Sequence, residues 1–211
     1  MREEDQEAKV NKYSLLENFL YLFTLARISN IYYHRESKPH PNLFLKEEGK
    51  IGLTFTFMER TVVLVKPDGV QRGLIGEIIH RFERKGLHLV GLKMMRLTDE
   101  VLESWYEHHK DKPFFPNLKA YMQSYPITAM VWEGIDAATT VRTLIGITKA
   151  REAAPGTIRG DFGMSQQLNL IHASESSQAA EKELSLIFTA EELFPWNKID
   201  MPSVYSEEEL Q

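Results

Sequence analysis

The chain has 211 residues, of which 43% are hydrophobic and 26% are charged, and its formal net charge is −5 at pH 7. A chain of this length can form one domain with a full hydrophobic core plus an appendage, or at most two small domains. The composition is ordinary for a globular protein, and the negative charge argues against a dedicated nucleic-acid binder, which would need a basic surface. The absence of cysteine excludes disulfides and thiolate metal sites and suits a reducing cytoplasm.

The first 57 residues are expected to form an N-terminal extension with one amphipathic helix. Apolar side chains recur at helical spacing from Leu15 to Ala26, whereas residues 31–57 have no clear period and predict a linker or loosely ordered chain. The apolar run over 19–26 is far shorter than the roughly 20 residues that span a bilayer, and the acidic start of the chain is unlike a signal peptide. We therefore expect no membrane span and a cytoplasmic location.

The hydrophobic pattern becomes dense and regular over residues 58–211, which are expected to form a single domain. The β-branched run over 61–65 predicts a buried strand, and residues 66–69 predict a turn after it. Apolar positions over 74–82 predict one face of a helix. Gly86 is expected to end that helix, because glycine readily adopts the left-handed conformation at a helix C-terminus.

Strands and helices then alternate along the chain. The predicted elements are a strand over 87–97, a helix from Thr98 to Tyr106, a short helix over 118–123, a strand over 127–132, a helix over 137–144, a strand ending at His172 and a helix over 178–188. This order matches the split βαβ arrangement of a ferredoxin-like α+β fold, in which helices cover an antiparallel sheet.

The stretch over 146–167 is rich in glycine and shows no period. Loops longer than about 12 to 15 residues in a compact domain are usually functional or disordered. This one contains Lys149, Arg151 and Arg159, whose positive charges suit an anion. We therefore expect a loop that holds phosphate.

His172 ends an apolar run and is followed by a small, polar segment from Ala173 to Ser176. The serines of this segment are expected to cap the last helix. Where a strand ends and a helix begins, unpaired backbone N–H groups and the helix dipole favour an anionic group. Two interpretations are open for His172 taken alone: a packing or surface residue, or a nucleophile presented to an anion.

The sequence has neither a Walker-type GxxxxGK[ST] loop nor a GxGxxG fingerprint, so side chains would have to hold the phosphates of any nucleotide. The side chains that could converge on His172 and neutralise a phosphoryl group are Lys66, Tyr106, Arg142, Thr148 and Arg159. Phe114 and Phe115 lie between two prolines, where both cannot easily face a core, so one of them could stack on a base. Each of these residues alone also has an ordinary interpretation as a surface, turn or packing residue.

Residues 58–195 resemble a nucleoside diphosphate kinase. Five blocks carry the resemblance, in the order and at the spacings of that family: residues 59–73, 112–115, 130–134, 155–162 and 169–176. The resemblance implies a ferredoxin-like antiparallel sheet covered by helices. It also implies a ping-pong reaction in which a histidine takes the γ-phosphoryl group from a nucleoside triphosphate such as ATP and passes it to a nucleoside diphosphate.

The resemblance assigns roles to individual residues. His172 is the expected nucleophile, which must be neutral to attack, Glu183 is expected to fix its tautomer, and Ser174 is expected to hold Glu183. The residues that match the phosphate and ribose contacts of the family are Lys66, Tyr106, Arg142, Thr148, Arg159 and Asn169, and Phe114 matches the aromatic residue under the base. Mg²⁺ is the expected cofactor, carried by the nucleotide phosphates and not by a protein site.

Two positions and one three-residue segment depart from the usual pattern of the family. His108 stands where most members have an acidic residue, Ile147 stands where many have glutamate, and residues 166–168 replace a more usual Val-Gly-Arg. None of these changes removes a group with a direct catalytic role. Together they are expected to affect the reaction rate and the base preference.

Alternatives remain for the activity, the assembly and the extension. The chain could be a catalytically weak relative that binds nucleotide or assembles with a partner, although the matching cations and the histidine favour an active enzyme. A homo-hexamer is expected, with a tetramer as the alternative. For residues 1–57, either Met58 is the authentic start of the protein, or the extension is genuine and its helix docks on the domain or on a partner.

Overall fold

The computed structural model describes residues 42–45, 51–54, 58–196 and 198–210. The predicted helix between Leu15 and Ala26 lies outside these residues. Among the described residues, no helix is long and apolar enough to cross a membrane.

Six strands form two antiparallel sheets in the described part of the chain. The strands are β1 (Asn42–Leu45), β2 (Ile51–Thr54), β3 (Glu59–Val65), β4 (His88–Met95), β5 (Ile127–Gly134) and β6 (Ile171–Ala173). Strands β1 and β2 pair with each other, within a stretch that the sequence predicted to be linker. The other four form one sheet in the order β4-β5-β3-β6.

Eight α-helices occur in the described residues. They are α1 (Pro67–Gln71), α2 (Ile75–Lys85), α3 (Asp99–Trp105), α4 (Phe115–Gln123), α5 (Ala137–Ile145), α6 (Ile158–Phe162), α7 (Ser177–Ile187) and α8 (Met201–Val204). Three short 3₁₀ helices join them, at Glu107–His109, Ala150–Glu152 and Ala190–Glu192.

The sheet order confirms the predicted fold class. Strand β3 pairs antiparallel with both β5 and β6, and β5 pairs antiparallel with β4. Strands β3 and β4 are therefore parallel but separated by β5, and the chain must cross over through α1 and α2 to connect them. This is the split βαβ arrangement of a ferredoxin-like α+β fold.

Both faces of the sheet are buried at β3, which is why this strand is a continuous apolar run and not an alternating one. Val63 and Val65 contribute to one hydrophobic core, which includes residues of α2 and α5. Val62 and Leu64 contribute to a second core on the opposite face, which includes residues of α3, α4 and α7. Strand β3 is thus fixed from both sides, which gives the residues at its end a rigid support.

Local signals placed several element ends correctly. The hydroxyl of Thr98 accepts a hydrogen bond from the amide of Val101 (3.4 Å), and that of Ser176 accepts one from the amide of Ala179 (3.2 Å). Gly86 ends α2 in the left-handed region with φ of 102°. These caps satisfy backbone groups that the first and last turns of a helix leave unpaired.

Three segments are more ordered than the sequence predicted. Residues 66–69 are not a simple turn, because α1 begins at Pro67, whose fixed φ and missing N–H suit the first helical position. The irregular stretch over 146–167 contains a 3₁₀ helix and α6, which Thr157 caps. Helix α4 begins at Phe115, earlier than predicted, also with a proline in its first turn.

Candidate active site

His172 lies in the middle of β6, where it pairs in register with Leu64 of β3. Its neighbours Ile171 and Ala173 are buried in a hydrophobic core, and the imidazole is only partly exposed. The strand therefore fixes the backbone of His172 while its side chain remains reachable from one side.

Glu183 of α7 holds the imidazole. Nε2 of His172 lies 3.0 Å from Oε1 and 3.1 Å from Oε2 of Glu183. Since a carboxylate only accepts hydrogen bonds, Nε2 carries the proton and Nδ1 keeps its lone pair. A second residue fixes Glu183, because the hydroxyl of Ser174 donates to Oε2 at 2.7 Å. Ser174 is itself fully buried and accepts a hydrogen bond from the amide of Val62 (3.1 Å).

Two aromatic residues from the end of α3 lie beside this group. The ring of Trp105 packs edge-on against that of His172, with centroids 5.3 Å apart and planes at 73°. Burial and then the charge of Glu183 raise the pKa of Tyr106 to about 12, so this phenol stays protonated. Tyr106 was identified from the sequence, but Trp105 was not. The only indication for Trp105 in the sequence was its position directly before Tyr106.

Lys66 and Asn169 meet at the ends of β3 and of the segment before β6. The ammonium group of Lys66 donates to Oδ1 of Asn169 at 2.7 Å, and both side chains are buried. Burial and then the nearby charge of Arg159 lower the pKa of Lys66 to about 8, and Asp68 opposes them. The amide of Asn169 in turn donates to the carbonyl oxygens of Thr148 (3.1 Å) and Gln166 (2.8 Å).

Arg159 links α6 to the segment that leads into His172. Its guanidinium donates to the carbonyl oxygens of Gly146 (2.8 Å), Asn169 (3.3 Å) and Ile171 (2.7 Å). Burial and then the charge of Arg142 lower the pKa of Arg159 to about 10. A bound anion would relieve this repulsion between two guanidinium groups, so the pair is suited to hold phosphate.

Arg142 and Thr148 are the more accessible members of the group. The guanidinium of Arg142 reaches the carbonyl oxygen of Ala173, next to His172, at 3.5 Å, and its side chain is otherwise exposed. Thr148 is also exposed, as is its neighbour Ile147. Both side chains are free to turn towards a ligand.

Phe114 stands apart from these polar residues. Its ring is 49% exposed just before α4, and His109 packs edge-on against it with centroids 5.3 Å apart. His109 also stacks with Tyr106 at 6.1 Å, so Phe114 is connected to the histidine site through two aromatic rings. The unusual residue His108 lies on the outer side, with its ring 4.0 Å from that of His109. Burial and then the charges of His108 and Lys112 lower the pKa of His109.

Sequence reasoning also missed Asp68. Its carboxylate accepts hydrogen bonds from the hydroxyl of Tyr121 and from the amide of Leu170 (3.1 Å). Asp68 was included in the predicted turn over 66–69 with no role of its own. No local signal could have identified its partners, because both lie far away in sequence.

The described residues contain no group of three or more His, Asp or Glu side chains placed to hold a metal ion. The site is instead rich in positive charge from Lys66, Arg142 and Arg159. An imidazole with a free Nδ1, in a site that also contains such charges, can attack a phosphoryl group, whose negative charge is spread over several oxygens.

Comparison with known proteins yields one family. The model of the family described as nucleoside diphosphate kinase matches residues 59–193. The nucleoside diphosphate kinase of Archaeoglobus fulgidus is 54% identical over 150 residues, which are 71% of this chain and 99% of that protein. That of Parabacteroides distasonis is 52% identical over 153 residues, which are 72% of this chain and 100% of that protein.

Solved structures give the same result. A halophilic nucleoside diphosphate kinase from Halobacterium salinarum, in complex with CDP, superposes with a TM-score of 0.69 at 52% identity, covering 70% of this chain and 99% of that one. A nucleoside diphosphate kinase family protein from Babesia bovis superposes with a TM-score of 0.68 at 48% identity over the same shares.

Proposed function

Because this chain belongs to the nucleoside diphosphate kinase family, whose members catalyse phosphate transfer between nucleotides, we propose that His172 carries the phosphoryl group. One observation supports this assignment above the others. Glu183 accepts a hydrogen bond from Nε2 of His172, which leaves the lone pair of Nδ1 free. Arg142 and Arg159 donate to the carbonyl oxygens of the two residues that flank His172, Ala173 and Ile171, which brings positive charge to this part of the chain.

The reaction proceeds in two similar steps. The lone pair of Nδ1 forms a bond to the γ-phosphorus of a nucleoside triphosphate while the bond from that phosphorus to the bridging oxygen breaks, and the nucleoside diphosphate leaves. An oxygen of the terminal phosphate of a second nucleoside diphosphate then attacks the phosphohistidine and restores the neutral imidazole. Throughout, Glu183 stabilises the positive charge that the ring acquires when Nδ1 is bonded to phosphorus.

The remaining predicted residues bind the nucleotide. Lys66, Arg142 and Arg159 neutralise the phosphate oxygens, while Thr148, Asn169 and Tyr106 supply hydrogen-bonding groups to phosphate and ribose. Phe114 stacks on the base through its exposed ring, which suits every base because each has a π-face. This arrangement accepts a range of nucleoside di- and triphosphates.

Mg²⁺ is the proposed cofactor, and the nucleotide phosphates hold it. Glu183 is the carboxylate in contact with His172, and Ser174 and His172 already hydrogen-bond to it, while the described residues offer no cluster of three or more such groups for a metal. A small, hard cation that keeps several waters is commonly bound through substrate phosphates. When bound there, it neutralises charge on the transferring group.

A homo-oligomer, most simply a hexamer built from dimers, is the proposed assembly. Strand β4 forms an edge of the four-stranded sheet, and Leu92 and Met94 on this strand are 50% and 59% exposed. Exposed apolar side chains on an edge strand favour pairing with another chain.

Two further proposals concern the location and the domain boundary. The absence of cysteine supports a cytoplasmic location. The match of the family model over residues 59–193 supports a domain that begins near residue 58.

Incubation with γ-labelled ATP tests the role of His172. Wild-type protein is expected to acquire phosphate that is labile in acid and stable in base, as a phosphohistidine is, and His172→Ala is expected to acquire none. Transfer of the label from the isolated phosphoprotein to added nucleoside diphosphate would complete the cycle. Absence of label on the wild type would disprove the phosphohistidine.

A further inference from the structure

The backbone of Leu170 adopts a conformation that L-amino acids with side chains rarely take. Its φ is 72°, in the left-handed region, and its side chain is fully buried in a hydrophobic core. A bulky side chain in this region is strained, because a positive φ brings Cβ close to the carbonyl group of the preceding residue. Such strain persists only where the surroundings impose it, and it often occurs at functional sites.

Asp68 imposes this conformation from one side. Oδ2 of Asp68 accepts the hydrogen bond of the Leu170 amide at 3.1 Å. Oδ1 accepts a hydrogen bond from the hydroxyl of Tyr121, so both oxygens of the carboxylate have a partner. Burial and then the hydrogen bond to Asp68 raise the pKa of Tyr121, which keeps this hydroxyl protonated and able to donate.

The end of β3 holds Leu170 from the other side. The amide of Lys66 donates to the carbonyl oxygen of Leu170 at 2.8 Å. Gly69 allows the two segments to approach, since a Cβ at this position would lie 2.9 Å from the same carbonyl oxygen. Both backbone polar groups of Leu170 are therefore tied to the segment that carries Lys66 and Asp68.

The two hydrogen bonds that hold the backbone of Leu170, to Asp68 and to Lys66, are called the Leu170 tether below. This tether affects the proposed site because Leu170 lies between Asn169 and the strand that carries His172. Leu170 follows Asn169, whose side chain accepts a hydrogen bond from Lys66 at 2.7 Å, and it precedes Ile171, which pairs with Val65 and leads to His172. If Leu170 relaxed to an extended conformation, the direction of the chain would change between Asn169 and β6. Asn169 and His172 could then no longer keep their present positions relative to Lys66 and Glu183.

We propose that Asp68 is a positioning residue for phosphoryl transfer, which it serves by holding Leu170 in the left-handed conformation. The proposal rests on the role proposed above for His172. The carboxylate touches neither the imidazole nor, in this scheme, the nucleotide. Its effect is to keep the imidazole of His172 and the Lys66–Asn169 pair in their present positions relative to each other.

Asp68→Ala and Asp68→Asn form a matched pair that tests the proposal. The negative charge of Asp68 raises the pKa of Lys66, and both substitutions remove this charge. A difference in activity between the two variants therefore reports the hydrogen bond to Leu170. Asparagine retains a carbonyl oxygen that can accept from the Leu170 amide, and its NH₂ group can face the oxygen of Tyr121. We expect kcat at saturating nucleotide to fall by about 10- to 100-fold in Asp68→Ala and by less than about 3-fold in Asp68→Asn, since misplacement of a reacting group by about 1 Å can cost 100-fold.

A comparison of kcat with KM separates positioning from loss of nucleotide affinity. The base and the outer phosphate contacts do not depend on Leu170, so KM is expected to rise less than kcat falls in Asp68→Ala. Tyr121→Phe, which removes one hydroxyl oxygen, is expected to lower kcat by a smaller factor in the same direction. This variant keeps the test valid if Asp68→Ala fails to fold.

Ile78→Ala controls for general destabilisation, because Ile78 is fully buried in α2 and has no part in the proposed site. It is expected to lower the melting temperature while kcat, measured where the protein is folded, stays at the wild-type value. The proposal is overturned if folded Asp68→Ala retains kcat within about 2-fold of wild type, or if Asp68→Asn loses as much as Asp68→Ala. Labelling of wild-type His172 is scored separately, so failure of the tether does not imply failure of the phosphohistidine.

Discussion

At the scale of single residues, Glu183 determines which nitrogen of the neutral His172 imidazole carries the proton. Two carboxylate oxygens lie within 3.1 Å of Nε2, and Ser174 fixes one of them. Without this contact the neutral imidazole would be divided between two tautomers, of which only the form with a proton on Nε2 leaves Nδ1 free. The orientation and protonation of the proposed nucleophile thus depend on one side chain from another element.

Lys66 adds a pH dependence at the same scale. Its pKa is lowered to about 8, because a buried ammonium group beside Arg159 is destabilised. A bound phosphate would supply the missing negative charge and raise this pKa. Nucleotide affinity should therefore be full below about pH 7 and should weaken as Lys66 loses its proton above pH 8.

Calorimetric titration with a nucleoside diphosphate at pH 8, in buffers of different ionisation enthalpy, measures this linkage. We expect wild type to take up a fraction of a proton on binding, and Lys66→Met to bind more weakly with less uptake. Lys85→Met is the control, since Lys85 is an exposed lysine at the end of α2, which carries none of the proposed site residues, and its uptake should match that of wild type. Equal proton uptake in wild type and Lys66→Met would contradict the assignment.

Helix α7 is the element that brings Glu183 to the site. Ser176 caps this helix, and Ala180 and Ile187 bury one face of it. Two different forces thus hold α7: the cap satisfies its first backbone amides, and the core fixes its orientation. Glu183 lies beyond the first turn, so its position should depend on the core more than on the cap.

Ser176→Ala separates these two contributions. Loss of the cap is expected to destabilise the protein by about 1 kcal/mol and to lower the melting temperature by about 2 to 4 °C. The kcat should remain within about 2-fold of wild type, because the first turn can fray without moving Glu183. Thermal denaturation and steady-state kinetics check the prediction, with Ser177→Ala as the neighbouring control. An unchanged melting temperature in Ser176→Ala would count against a role of this cap in stability.

Assembly belongs to the scale of the whole molecule. The amide of Phe194 and the indole of Trp196 donate to the carbonyl oxygens of Val90 (2.7 Å) and Leu89 (3.2 Å) and so cover part of the edge strand β4. The exposed apolar side chains of Leu92 and Met94 farther along β4 favour association, and a closed symmetric oligomer is the usual outcome for such a surface. Charged residues at this edge would oppose the pairing of two copies, since each would have to be desolvated.

The double substitution Leu92→Lys and Met94→Lys is therefore expected to reduce the size of the oligomer. Light scattering coupled to gel filtration should give a larger mass for wild type than for the variant. Met164→Lys is the matched control, because Met164 is 74% exposed but lies far from β4 in sequence and on no strand. A wild-type monomer at micromolar concentration would contradict the proposed assembly.

The sequence by itself determined the family and the order of the longer helices and strands of residues 58–211. Hydrophobic periodicity and capping residues are local signals, so they located α2, α3, β5 and α7 and implied the split βαβ order. Local rules were less reliable where a short helix begins with proline, as α1 does at Pro67. The blocks that carry the resemblance to the family indicated His172 and the residues around it.

Only the tertiary structure decided how these residues contact one another. The ammonium group of Lys66 meets Asn169, and the carboxylate of Asp68 meets Leu170, across more than one hundred residues of chain. Such contacts follow from the pairing of β3 with β6, and the periodicity of either strand carries no information about its partner or register. For the same reason the left-handed backbone of Leu170 has no signal in the sequence: its surroundings, and not its own side chain, impose it.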